Sequence, residues 1–177
     1  METMPPARRQ IKRLLYKADL LSVLSQMDVS LEGHIRKKSV YLVGGSFMAY
    51  EELRGLTKDI DLIMSRQDFR DLSGIIAEIE SEREICIDVF PDGQLSGYSY
   101  PTYASHAVRL PIGYTNLNTF RVDDIGFLVM KALAARDNDK EDIDTIVGHR
   151  GLPPLYQVLA RFRELKLDES HEELYKE

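Results

Sequence analysis

Between Val40 and Met64 the chain reads VYLVGGSFMAYEELRGLTKDIDLIM. An apolar run stops at Gly44-Gly45-Ser46, a helix-like segment follows, and a second apolar run opens on Asp59-Ile60-Asp61. Short apolar runs bounded by turn signals read as buried strands. The segment therefore predicts a strand over Ser39–Val43 and a helix from Ser46 to about Arg54, with Ser46 at or near its N-cap. A second strand follows over Ile60–Met64. That order calls for a mixed α/β core with helices before and after it.

The flanks are helical. Ile11, Leu14, Leu15, Ala18, Leu21 and Leu24 recur at helical spacing, which predicts one amphipathic helix from Arg8 to about Met27. Gln67 to about Ser81 is a further helix, and Glu84–Phe90 a third strand ended by Pro91-Asp92-Gly93. A tyrosine-rich loop, GYSYPTYAS, precedes two short strands, Val108–Ile112 and Leu117–Phe120, around Gly113. From Asp123 the pattern is helical again: a strongly apolar helix to about Ala135, a shorter one over Glu141–Val147, and a third over Leu155–Leu165. The apolar helix reads as core, with a subunit interface as the other reading. The expected organisation is a single domain over 1–177, with an N-terminal helix (8–27), an α/β core (39–120) and a helical C-terminal part (122–166) whose charged tail frays.

At 177 residues and 44% hydrophobic content, the chain buries a core without disulfides. Its one cysteine, Cys86, forms no internal disulfide, reads as a core residue, and suits a reducing cytoplasm. No apolar run approaches the about 20 residues of a membrane helix, and METMPPARRQIKR lacks an apolar signal segment. The expectation is a cytoplasmic protein with no membrane partner. A net charge of −6 argues against a general nucleic-acid coat protein. Local basic clusters at Arg8, Arg9, Lys12, Arg13 and Lys17, and at Arg36-Lys37-Lys38, offer a surface to a phosphate-bearing partner, or are solvated helix faces.

Three motifs carry chemistry. A strand-to-helix turn at Gly44-Gly45-Ser46 presents backbone N–H groups that favour anions, and glycine lets the backbone approach a ligand. The same three residues also make an ordinary tight connection with a capping serine. Asp59 and Asp61, two apart on a strand, point to one face. Two carboxylates there repel unless a divalent cation stands between them, and oxygen donors suit Mg²⁺ or Mn²⁺. They also read as surface acids. Asp88, inside the apolar ICIDVF, joins them if its strand lies beside Ile60–Met64, or faces solvent on an edge strand.

Taken in order, Gly44, Gly45, Ser46, Arg54, Thr57, Asp59, Asp61 and Asp88 resemble the nucleotidyltransferase superfamily of the polymerase-beta type. The likeness is nearest to the AbiEii-like nucleotidyltransferases of toxin–antitoxin systems. It covers residues 39–90 most specifically and continues more weakly through Lys131, Arg136, Lys140 and Asp142. The resemblance implies an α+β fold, a small mixed β-sheet flanked by helices with a helical C-terminal extension. It also implies transfer of a nucleoside monophosphate from an NTP to a hydroxyl of RNA, such as tRNA, or of a protein. It implies that Gly44, Gly45 and Ser46 hold phosphates, and that Asp59, Asp61 and Asp88 are catalytic metal ligands for Mg²⁺ or Mn²⁺. Arg54, Lys131 and Arg136 are candidates to neutralise the triphosphate. The plainer readings are that Arg54 caps a helix and that Lys131 snorkels at the surface. Tyr98, Tyr100 and Tyr103 either stack on a base or pack against the domain. His106 has no partner visible in sequence. Asp123-Asp124 reads as an N-cap pair. Alternatives to an active enzyme are a non-catalytic binding or antitoxin-like module on the same fold, and a metal-dependent nuclease. The nuclease lacks an obvious lysine beside its third carboxylate.

Overall fold

The computed structural model describes residues 14–167. It is an α+β fold built on a five-stranded mixed sheet. Helix α1 (Lys17–Ser30) leads into β1 (Lys38–Leu42), α2 (Gly44–Tyr50) and β2 (Ile60–Met64). Then follow α3 (Arg66–Arg83), β3 (Ile87–Pro91), the short strands β4 (Gln94–Leu95) and β5 (Tyr98–Ser99), and β6 (Val108–Arg109). The chain continues through β7 (Leu117–Arg121), α4 (Asp124–Ala134), α5 (Asp137–Arg150), α6 (Leu155–Glu164) and β8 (Lys166–Leu167). The main sheet runs β3-β2-β1-β7-β6, and β4-β5-β8 form a small second sheet. β1 is antiparallel to β2 and parallel to β7, while β2 and β3 are parallel and joined through α3.

Strand parity sorts the side chains, because alternate residues face opposite sides. Val40, Leu42, Ile60, Leu62 and Ile87 face α1 and α3, where Leu20, Leu24, Met27, Leu72, Ile76 and Ile79 complete one core. Val43, Ile63 and Val122 join Phe47, Phe127, Met130, Ile146 and the tyrosine segment in a second core. Phe47 and Phe127 stack with centroids 4.3 Å apart, fixing α2 against α4. Asp61 has the parity of Ile63, so it stands on the α4 side of the sheet. α4 is core, with Phe127, Leu128, Val129 and Met130 buried within this chain.

Several element boundaries differ from the sequence reading. The first helix starts at Lys17, because Leu15 exchanges backbone hydrogen bonds with Thr57 at 2.7 and 2.9 Å in an isolated bridge. Residues 8–13 of that expected helix, with Arg8, Arg9, Lys12 and Arg13, lie outside the described residues, as does most of the acidic tail. α2 begins at Gly44 with Val43 as N-cap, so the glycines are its first turn and Ser46 lies inside it. α3 runs on to Arg83, and Glu84 takes a left-handed C-cap, so β3 begins only at Ile87. α5 is twice the expected length: it gains a wholly polar first turn, Asp137–Lys140, which carries no hydrophobic period, and it runs on past Val147 to Arg150. Among the described residues no helix is long and apolar enough to cross a membrane.

Candidate active site

A cavity of about 570 Å³ opens where β1 ends, β2 begins and α4 and α5 pack over them. Asp59, Asp61 and Asp88 all line it. Asp61 and Asp88 are register partners across the parallel β2–β3 pair, which places both carboxylates on one face. Asp59 lies one residue ahead of β2. Burial, then the charges of Asp88 and Asp59, push the Asp61 carboxyl up to about 6, against the pull of the Gly45 N–H and of Lys131. Among the described residues no three His, Cys, Asp or Glu side chains form a ready-made metal cluster. What the acids share is a cavity and a mutual repulsion that a hard cation with oxygen ligands relieves.

The Gly-Gly-Ser turn is fitted to Asp61. The Gly45 N–H donates to Asp61 Oδ2 at 2.8 Å. Gly44 has φ of +51°, and a Cβ there would stand 2.6 Å from the same oxygen. A Cβ on Gly45 would collide with Thr57 Oγ1. Both glycines line the cavity, whereas Ser46 is fully buried behind it, and its Oγ accepts the Asp61 N–H at 2.8 Å. Thr57 Oγ1 donates to the Asp59 carbonyl at 2.9 Å. The turn therefore holds the start of β2, and the aspartates with it, from two sides.

The cations form a row. Lys131 is buried, not snorkelling at the surface, with its Nζ 2.7 Å from Asp139 Oδ1 and 2.8 Å from Asp142 Oδ2. Arg54 pairs with the other oxygen of Asp142 rather than capping a helix. Arg136 Nε bonds Asp139 Oδ2 at 3.0 Å. Burial pushes Asp139 up, but hydrogen bonds from Arg136 and Lys131 outweigh it and hold the carboxyl below its ordinary range. Lys140 does not line the cavity. Asp139 was missed in the sequence. The signal that could have found it is its place three residues after Arg136, a helix-start spacing, and three before Asp142 on the same helix face.

The remaining candidates take structural places. Tyr98, Tyr100 and Tyr103 are buried, so the loop packs against the domain. Tyr98 Oη donates to the Met130 carbonyl, and Tyr100 Oη accepts from Arg161 Nη1 at 2.8 Å. His106 finds Glu164, with Nε2 2.9 Å from Oε2. Asp123 is the N-cap of α4, accepting the Gly126 N–H at 3.1 Å, and Asp124 pairs with Arg121 and Arg150. Cys86 is half-buried, not a core residue. It turns its thiol to Asp88 at 3.6 Å, where burial and the neighbouring carboxylates push it up to about 12. A thiol so held is inert as a nucleophile.

A solved structure of similar fold is described as an antigenic nucleotidyltransferase-like protein from Paracoccidioides brasiliensis. It superposes with a TM-score of 0.51 over 84% of this chain and 88% of its own, at 14% identity, a likeness of fold alone. No curated protein matches the sequence. Residues 18–172 match the family described as "Nucleotidyltransferase of unknown function (DUF6036)", a span that takes in the sheet, the acids and the cation row. By that match, which extends over most of its length, the chain belongs to this nucleotidyltransferase family.

Proposed function

We propose that the protein is a divalent-cation-dependent nucleotidyltransferase that moves a nucleoside monophosphate from an NTP to an acceptor hydroxyl and releases pyrophosphate. The observation that carries this reading is one cavity lined by Asp59, Asp61 and Asp88 together with Arg54, Lys131 and Arg136. Carboxylates suit metal ions and the guanidinium and ammonium groups suit phosphates, and such transfer needs both at once. Bound Mg²⁺ or Mn²⁺ supplies neutralisation of charge on the attacking and leaving oxygens. Asp59, Asp61 and Asp88 are the residues that would hold it. Gly44 and Gly45 line the cavity and let the Asp61 and Thr57 side chains lie against the backbone, and Ser46 serves by holding Asp61 in place. Asp88, exposed on β3, would help activate the incoming hydroxyl.

The acceptor belongs to the same proposal: a hydroxyl of RNA such as tRNA, or of a protein, in the cytoplasm. The nearer likeness to the AbiEii-like branch, and with it a toxin–antitoxin setting, rests on the sequence motifs and is proposed on them alone. The test is to incubate the protein with Mg²⁺, each labelled NTP and either total RNA or cell lysate, beside an Asp59→Ala/Asp61→Ala control. Label transferred by the wild type and not by the control is expected. Absence of both transfer and Mg²⁺-dependent NTP binding would leave a non-catalytic module on this fold.

A further inference from the structure

The cation row has a construction that the proposed chemistry does not by itself require. Five charges alternate in sign: Arg54, Asp142, Lys131, Asp139, Arg136. The two carboxylates each bridge two cations and are withdrawn, with side-chain exposures of 2% each. Two cations stand forward, Arg54 at 36% and Arg136 at 74%, with Lys131 recessed between them at 10%. All five residues line the cavity. Buried acids that merely neutralised their partners would leave a wall without direction. The two acids, three apart on α5, gather three positive groups from separate elements, with one net positive charge. Such a row meets a chain of phosphates better than a lone anion.

We propose that Asp139 and Asp142 of α5 are positioning residues, which hold Arg54, Lys131 and Arg136 as a polyphosphate-binding row. This inference rests on the nucleotidyltransfer reading for its natural ligand, but not for its test. Substitution by Asn suits both positions, because the amide oxygen keeps an acceptor while the charge is lost. At Asp139 it also keeps the bond from the Arg136 N–H at 3.0 Å that starts α5.

The experiment uses the full chain, with Asp142→Asn and Asp139→Asn, and two probes. Metal-free inorganic tripolyphosphate is titrated calorimetrically, and Mg²⁺–NTP is followed by KM and kcat. Nitrogen-15 spectra of the Lys131 ammonium, assigned through Lys131→Arg, report its immobilisation directly. The expected result is tripolyphosphate binding by the wild type that weakens about tenfold or more in either variant. KM should rise to match while kcat stays within about threefold, and the Lys131 signal should be lost to fast exchange. Unchanged binding in the variants overturns the proposal, as does loss of kcat at constant KM, which would make the acids catalytic. Failure of the wild type to bind tripolyphosphate overturns it too. Asp142-dependent tripolyphosphate binding without transfer from any NTP would instead retain the row and remove the nucleotidyltransfer reading. Should Asp142→Asn not fold, as judged by circular dichroism, Asp139→Asn carries the same comparison.

Discussion

Asp61 is a buried acid beside two others, and its titration is measurable. Its carboxyl is pushed from an ordinary 3.8 up to about 6, first by burial and then by Asp88 and Asp59. The folded state therefore binds this proton more tightly than the unfolded chain does. The contribution of Asp61 to stability is therefore greatest below about pH 4 and falls as pH rises through 6, by about 2–3 kcal/mol. Asp61→Asn should remove that slope. In urea unfolding without divalent cation, the variant should be more stable than wild type by about 2–3 kcal/mol at pH 7.5, with the gap closing toward pH 4. The same variant should lose transfer activity, if the proposed chemistry holds. Gly45→Ala should cost about 2–4 kcal/mol, because its Cβ meets Thr57 Oγ1 and has nowhere to go. Ser46→Ala should cost about 1–2 kcal/mol by stranding the Asp61 N–H in a buried site. At this scale the sequence was readable where a residue broke its local pattern. Asp88 stood out because an acid interrupts an apolar strand. Asp139 did not, because an acid in a polar helical turn looks like any solvated residue.

Elements came through the sequence more reliably than their ends. β1, β2 and α4 carry strong hydrophobic patterns, and they lie within a residue of expectation. The ends moved where backbone partners came from elsewhere in the chain. Leu15 left the first helix for a bridge with Thr57. The far end of α1 is tied in a comparable way. Asp28, only 9% exposed, accepts the backbone N–H groups of Thr115, Asn116 and Leu117 at 3.2, 2.6 and 2.8 Å. One carboxylate thus seats α1 on the turn that starts β7. Asp28→Ala should lower stability by about 3 kcal/mol, with Asp28→Asn recovering part of it, in matched urea titrations. The tyrosine segment makes the same point from the other side. Three tyrosines in a row of loop residues look available for stacking, yet Tyr98 has a buried seat against α4, Tyr100 against α6 and Tyr103 against Tyr41 of β1, seats that only the folded chain provides.

Across the molecule, α5 is held to the rest by charge as much as by apolar contact. Ile146 is buried in the second core, but the helix also depends on Asp142 with Arg54 and on Arg150 with Glu51 and Asp124. The Arg150 pairs lie near the surface and weaken with salt, whereas those of buried Asp142 are screened less. Native-state hydrogen exchange should therefore show α5 amides opening before those of β1 and β2, and opening more readily at 0.5 M than at ~0.05 M salt while the sheet is little changed. Equal protection of α5 and the central strands at both salt concentrations would contradict this. The hydrophobic periods of the sequence by themselves determined an α+β chain with a strand–glycine turn–helix–strand unit and acids at the start of the second strand. That much is local, since it depends on which residues follow one another. Tertiary structure alone decided that Asp88 lies beside Asp61, that Ser46 serves the aspartate from behind, and that α5 sets two buried acids among three cations. Those outcomes depend on strand pairing and helix docking between residues far apart in the chain, and no local period records which distant charge a residue will meet.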